Sequence, residues 1–186
     1  ITANHEAALC RELGIDLVIT DHHECKSELP QAVALVNPHR KDQPQPVTEM
    51  AGVGVAFKLA AAIEGEQETL LDQYCDFLCL GTVADVMPLT GENRTMVARG
   101  LKALENPRRV GIAALMAECS VQKGPVTAGT IGYTLAPRIN AAGRMGEVGI
   151  ATELFLTHDA GRAVELAGAL CRLNRRRQEI ESSIYQ

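Results

Sequence analysis

Tryptophan is missing from this chain of 186 residues, and aromatic residues together reach only 3%. Its core must therefore be mostly aliphatic, and with 46% hydrophobic residues there is enough to build one. Basic excess is missing too. The formal net charge is −5 and the pI about 5.6, so no global field draws the chain towards nucleic acid. A groove lined with a few cations still sets its own local field. No apolar run approaches the ~20 residues that span a bilayer, and no signal peptide is visible. These absences lead us to expect a cytoplasmic protein without a membrane partner. CxxC pairs are also lacking. The six cysteines are Cys10, Cys25, Cys75, Cys79, Cys119 and Cys171, and no second pair at ligand spacing supports zinc. Cys75 and Cys79, four apart in an apolar helical pattern, are expected to share one buried face as reduced thiols.

What is present reads as an α/β fold. Residues 3–13 carry Ala7, Ala8, Leu9 and Leu13 on a helical spacing, with Gly14 as the expected C-cap. Ile15–Thr20 is a short apolar run, read as a buried parallel strand. Ala32–Val36 reads as a second strand, ended by "NP". Residues 37–46 are polar with three prolines and read as a loop. The remainder is helix-rich, with helices expected over 50–64, 66–80, 93–104, 112–119, 150–156 and 159–184. Residues 135–149 hold three glycines and a proline, and so should break the pattern. In the last helix Ala163, Leu166, Ala167, Leu170 and Leu173 form one apolar stripe. Beyond it, Arg175 with Glu179 and Arg177 with Glu181 are charge pairs at i,i+4, as on a solvated linker helix.

Three stretches could carry chemistry. In "LVITDHHECKSELP" the first strand runs straight into Asp21, His22 and His23. Ligands of open α/β sheets gather outside the carboxyl ends of strands, and carboxylate with imidazole suits Mn²⁺, Fe²⁺ or Zn²⁺. A polar turn with surface histidines explains the triplet equally well. In "CLGTVADVMPLTGENR" Asp85 stands between Ala84 and Val86. If buried there it needs a partner, a metal or backbone N–H groups. In "APRINAAGRMG" Arg138 and Arg144 flank Asn140 and Gly143. Small residues admit a close backbone and arginine forks match phosphate oxygens, yet a glycine-rich turn with exposed arginines also fits. Arg40 in "NPHR" is a further, isolated cation.

Taken in order, "VITDHH", "NPHR", "AGVGVAFKL", "GTVADVMPLTGENR" and "APRINAAGRMG" resemble the RecJ-type exonucleases of the DHH phosphoesterase superfamily. The resemblance covers nearly the whole chain. It implies part of a DHH-type parallel-sheet domain with a helix-rich C-terminal half and a long terminal linker helix. The domain would occupy 1–157 and the helix 158–186. The implied activity is 5′→3′ hydrolysis of single-stranded DNA in repair and recombination, with two Mn²⁺ or Mg²⁺ ions. His22 and Asp85 would ligate metal and His23 would face the scissile phosphate. Asp21 would hold the site, as a ligand or by orienting His22. Arg40, Arg138, Asn140 and Arg144 would contact DNA. Single-strand DNA-binding protein and a RecQ-type helicase are the implied partners. The alternatives are another DHH phosphoesterase (an oligoribonuclease, a cyclic-dinucleotide phosphodiesterase or a family II pyrophosphatase) or a non-catalytic scaffold. The family's DxDG-like motif and the aspartate before the first helix are missing, as are its C-terminal phosphate-binding and OB domains. The chain is therefore expected to be a middle segment of a longer protein. Such a segment should be inactive alone, bind Mn²⁺ weakly and self-associate.

Overall fold

The computed structural model describes residues 1–42 and 49–184. Of the loop expected at 37–46, residues 43–46 lie outside the described set. The chain divides into two compact units, Ile1–Val97 and Ala98–Gln186.

In the first unit, α1 spans Asn4–Glu12. Gly14 follows in the left-handed conformation at φ +69°, as its C-cap reading required. Strands β1, Val18–Thr20, and β2, Ala34–Val36, are parallel, with Ile19 opposite Leu35. Among the described residues they form a sheet of two strands. The expectation of a buried first strand needs correction. Val18 is 55% and Ile15 53% exposed, so the run that carries them is not covered among the described residues. Helix α2, Gly52–Glu64, ends at Gly65 with φ +77°. Helix α3, Gln67–Ala84, packs against it. Val55, Phe57, Leu71, Leu78 and Cys79 are buried there, and Cys75 joins Cys79 on the buried face as expected. A Cβ on Gly81 would lie 2.6 Å from Val53 Cγ1. The missing side chain therefore lets α2 and α3 approach. Helix α4, Gly91–Leu104, begins in this unit and ends in the second.

The second unit is helical. Helices α5, Val110–Glu118, α6, Ala136–Arg144, and α7, Val148–Leu156, all pack on the long α8, Ala160–Ile184. Ala163, Leu166, Ala167 and Leu170 are buried as the apolar stripe required, and Leu173 is half-buried. The expected break at 135–149 is corrected by two helices in series. A π-helical turn at Thr130–Leu135 runs into α6. Pro137 lies inside this continuous helical run, where the π-helical turn meets α6. Gly146, at φ +76°, turns the chain between α6 and α7. Gly146 alone of these residues lies between helices, while Pro137, Gly143 and Gly149 lie inside them. Of the two charge pairs read on α8, Arg177–Glu181 closes at 2.9 Å. No described helix is long and apolar enough to cross a membrane.

Candidate metal centre

The site begins where β1 stops. Asp21 N–H still donates to Val36 carbonyl at 3.0 Å, extending the ladder by one bond. The Asp21 carboxylate then folds back over its own chain. Oδ1 accepts from the backbone N–H groups of His22 at 2.7 Å and His23 at 3.1 Å. It also meets His23 Nδ1 at 2.7 Å. This is the local side-chain-to-backbone bonding that Asp makes readily in turns. The side-chain bond runs to His23, while His22 Nδ1 lies 3.8 Å away. Oδ2 receives the Ile1 amino group at 2.5 Å. Burial pushes the Asp21 carboxyl up. The bonds from His23 and His22 pull it the other way.

His22 is held from two sides. Its Nε2 lies 2.9 Å from Asp85 Oδ2. On the other side it meets the start of α2, where a Cβ on Gly52 would stand 3.1 Å from Nδ1. Any larger residue at position 52 would press on the imidazole. The His22 and His23 ring centroids are 4.3 Å apart. His23 itself is open, with its side chain 73% exposed.

Asp85 sits at the C-cap of α3, and its side chain is 44% exposed. The expectation of a carboxylate buried in an apolar run is corrected. Helix α3 ends at this point, so Asp85 leaves the packed face instead of lying within it. Val86 follows at φ +55° and Met87 N–H donates to Thr82 carbonyl at 3.1 Å. That bond closes the helix end and fixes where Asp85 points.

Asn37 was read from sequence only as the end of a strand. Its side chain is buried at 2% exposure. It donates to His23 carbonyl at 3.0 Å and accepts from His39 N–H at 2.7 Å. It therefore pins the loop after β2 to the turn after β1. A polar residue directly after an apolar run, followed by Pro38, was the available signal.

Asp21, His22 and His23 each offer one ligand atom within 4.8 Å of the others, and Asp85 reaches His22. Two carboxylates with two imidazoles form a donor set suited to Mn²⁺ and other divalent first-row ions. The candidate DNA contacts are arranged differently. Arg40 is engaged within its own loop, with Nε on Asp42 Oδ1 at 3.0 Å and Nη1 on Leu35 carbonyl at 2.5 Å. Nη2 also donates to Asp42 Oδ2, and this Nε/Nη2 fork holds the Asp42 carboxyl below its ordinary value. Arg138, Asn140 and Arg144 all lie on α6 in the second unit. Arg138 is half-buried and donates to Thr134 carbonyl at 2.6 Å. Asn140 and Arg144 are both exposed and, four residues apart, share one helix face.

Residues 1–82 match the DHH family, N-terminal domain. The single-stranded-DNA-specific exonuclease RecJ of Bacillus subtilis (strain 168) is 42% identical over 184 residues. That match covers 99% of this chain and 23% of the relative. The crystal structure of RecJ in complex with Mn²⁺ from Thermus thermophilus superposes with a TM-score of 0.84 at 36% identity. It covers 99% of this chain and 28% of that one. The corresponding Mg²⁺ complex gives 0.73, again at 36% identity, over 92% of this chain and 26% of that one. The chain thus spans less than a third of the length of each of these relatives. Residues 1–82 form a DHH-family segment, and over nearly its whole length the chain is a homologue of the RecJ exonucleases.

Proposed function

We propose that the protein carrying this chain is a divalent-metal-dependent exonuclease that hydrolyses single-stranded DNA from the 5′ end. The observation that carries the reading is the convergence of Asp21, His22 and His23 with Asp85 from the end of α3. In this reading His22 and Asp85 hold the metal, which is Mn²⁺ or Mg²⁺ as in the RecJ crystal structures. Bound there, such an ion lowers the pKa of a coordinated water and neutralises charge on phosphoryl oxygens. His23, exposed beside them, donates to the scissile phosphate. Asp21 holds the turn and keeps His23 oriented through the bond at 2.7 Å.

On α6, Asn140 and Arg144 form the exposed contact for the DNA backbone. Arg138 supports that helix from its half-buried position. Arg40 would have to exchange its Asp42 fork for a phosphate, a swap of one bidentate partner for another. Residues 1–157 would be the catalytic part and 158–186 the helix leading to a further domain. Single-strand DNA-binding protein, a RecQ-type helicase and a cytoplasmic location belong to the same reading.

The test is a substrate panel on the protein. With Mn²⁺ supplied, a 3′-labelled single strand should be shortened from its 5′ end, releasing mononucleotides, and EDTA should stop it. A cyclic dinucleotide and inorganic pyrophosphate should be turned over far more slowly. Preference for either of those would replace the exonuclease reading with that of another DHH phosphoesterase. No turnover of any of them would leave the scaffold reading.

A further inference from the structure

Asn93 lies near the start of α4 and is only 1% exposed. Its side-chain amide makes two bonds, both to backbone carbonyls and both far along the chain from one another. Nδ2 donates to Pro88 carbonyl at 3.0 Å and to Glu49 carbonyl at 2.6 Å. Pro88 stands three residues after Asp85. Glu49 stands three residues before Gly52, the glycine pressed against His22. A single buried amide thus ties together the two segments that set His22 and Asp85. The adjacent Glu92 is paired with Lys58 of α2, so the same turn of α4 is also anchored to that helix.

We propose that Asn93 is a positioning residue for the metal centre, holding the 85–88 segment against the 49–52 segment so that Asp85 meets His22 at bonding distance. The proposal rests on the reading of these residues as metal ligands. Its physical basis is tolerance. Metal–ligand distances must hold within about 0.2 Å, and the backbone bonds around Asp85 tie it only to its own helix, at Gly81, Thr82 and Val83. Val86 is 87% exposed and gives no packing. The carbonyl bonds of Asn93 add the restraint between that helix end and the segment before α2. The residues that orient ligands typically cost about 10–100-fold in metal affinity when changed.

Asn93→Asp keeps the shape but removes both donors and sets a carboxylate oxygen against two carbonyls. Asn93→Ser shortens the side chain and serves as the milder variant should the first not fold. Asn174→Asp, at a buried asparagine on α8 with 3% exposure, is the control for a merely structural loss. Two readouts are needed: the Mn²⁺ dissociation constant from an electron paramagnetic resonance titration, and hydrogen exchange of the Val86, Met87 and Leu89 amides in metal-free protein. Asn93→Asp should weaken Mn²⁺ binding about tenfold or more and speed exchange at those amides. Asn93→Ser should do the same to a smaller extent, and Asn174→Asp should do neither. Wild-type Mn²⁺ affinity in both Asn93 variants would overturn the proposal, as would an equal loss in Asn174→Asp. A wild-type protein that takes up no Mn²⁺ would instead sink the metal reading and this proposal with it. The exchange result would still report on the clamp alone.

Discussion

At φ +55°, Val86 occupies a backbone region that costs an L-residue about 1–2 kcal/mol. A β-branched side chain fits it worst. With its side chain 87% exposed, no packing compensates. Val86→Gly should therefore stabilise the fold by about 1 kcal/mol, after the entropic cost of glycine is subtracted. Denaturant melts would show a higher midpoint at an unchanged slope. An unchanged or lower midpoint would mean that the turn carries no strain. Cys79 makes a second prediction at this scale. Burial pushes its thiol from the ordinary 9.0 up to about 12. The folded chain then holds this proton more tightly than the unfolded chain does. The stability linked to Cys79 is complete below pH 9 and falls between pH 9 and about 12. Its slope approaches about 1.4 kcal/mol per pH unit. The alkaline decline should be shallower in Cys79→Ala, and an identical decline would remove the thiol as its source. The DHH triplet and Asp85 stood out in the sequence as candidates, the triplet after an apolar run and Asp85 within one, and the structure brings His22 and Asp85 to 2.9 Å. Asn37, Gly52 and Asn93 were not legible. Their roles are backbone bonds and close contacts that form only after distant segments meet.

Between elements, the controlling contact is α2 against α3. Gly81 allows it, since a Cβ there would fall 2.6 Å from Val53 Cγ1. Val53 is β-branched and has little freedom to move aside. Gly81→Ala should push the two helices apart and destabilise by about 1–3 kcal/mol, the usual cost of overpacking. Because α2 carries Gly52 and α3 ends at Asp85, the same change should weaken Mn²⁺ binding. Thermal melts and a metal titration check both halves of this expectation. A variant with wild-type values in both would show that the contact is not tight. Helix existence was readable from apolar spacing, and Gly65 does separate two helices, though the second runs to Ala84 instead of ending at residue 80. Strand burial was not readable, because an apolar run says that a strand can be covered and not that it is. The stretch at 135–149 failed for another reason. Glycine and proline argue for a break, yet Pro137, Gly143 and Gly149 lie within helices and Gly146 alone turns the chain.

Across the whole chain, apolar surface lies open in the first unit. Leu9 is 48%, Leu13 65%, Ile15 53%, Val18 55% and Val33 70% exposed, beside a parallel pair whose edges are unpaired among the described residues. Exposed edges and clustered apolar side chains favour association. The 186-residue chain on its own should therefore self-associate, with light scattering giving a mass above its 20.0 kDa. A strict monomer at micromolar concentration would contradict this. The overall class, a parallel pair followed by helices, was legible because motif order carried it. The division at Val97 and Ala98 was not, because it falls inside α4, where the sequence shows continuous helix.

In the proposed function, binding of a divalent ion turns on His22 and Asp85. The most direct test is an electron paramagnetic resonance titration of Mn²⁺ into the protein, repeated with His22→Ala and Asp85→Asn. Circular dichroism should show all three folded. Each substitution should weaken Mn²⁺ binding by about tenfold or more, and hydrolysis of single-stranded DNA should fall with it. Wild-type Mn²⁺ affinity in either folded variant would contradict the assignment of that residue as a metal ligand.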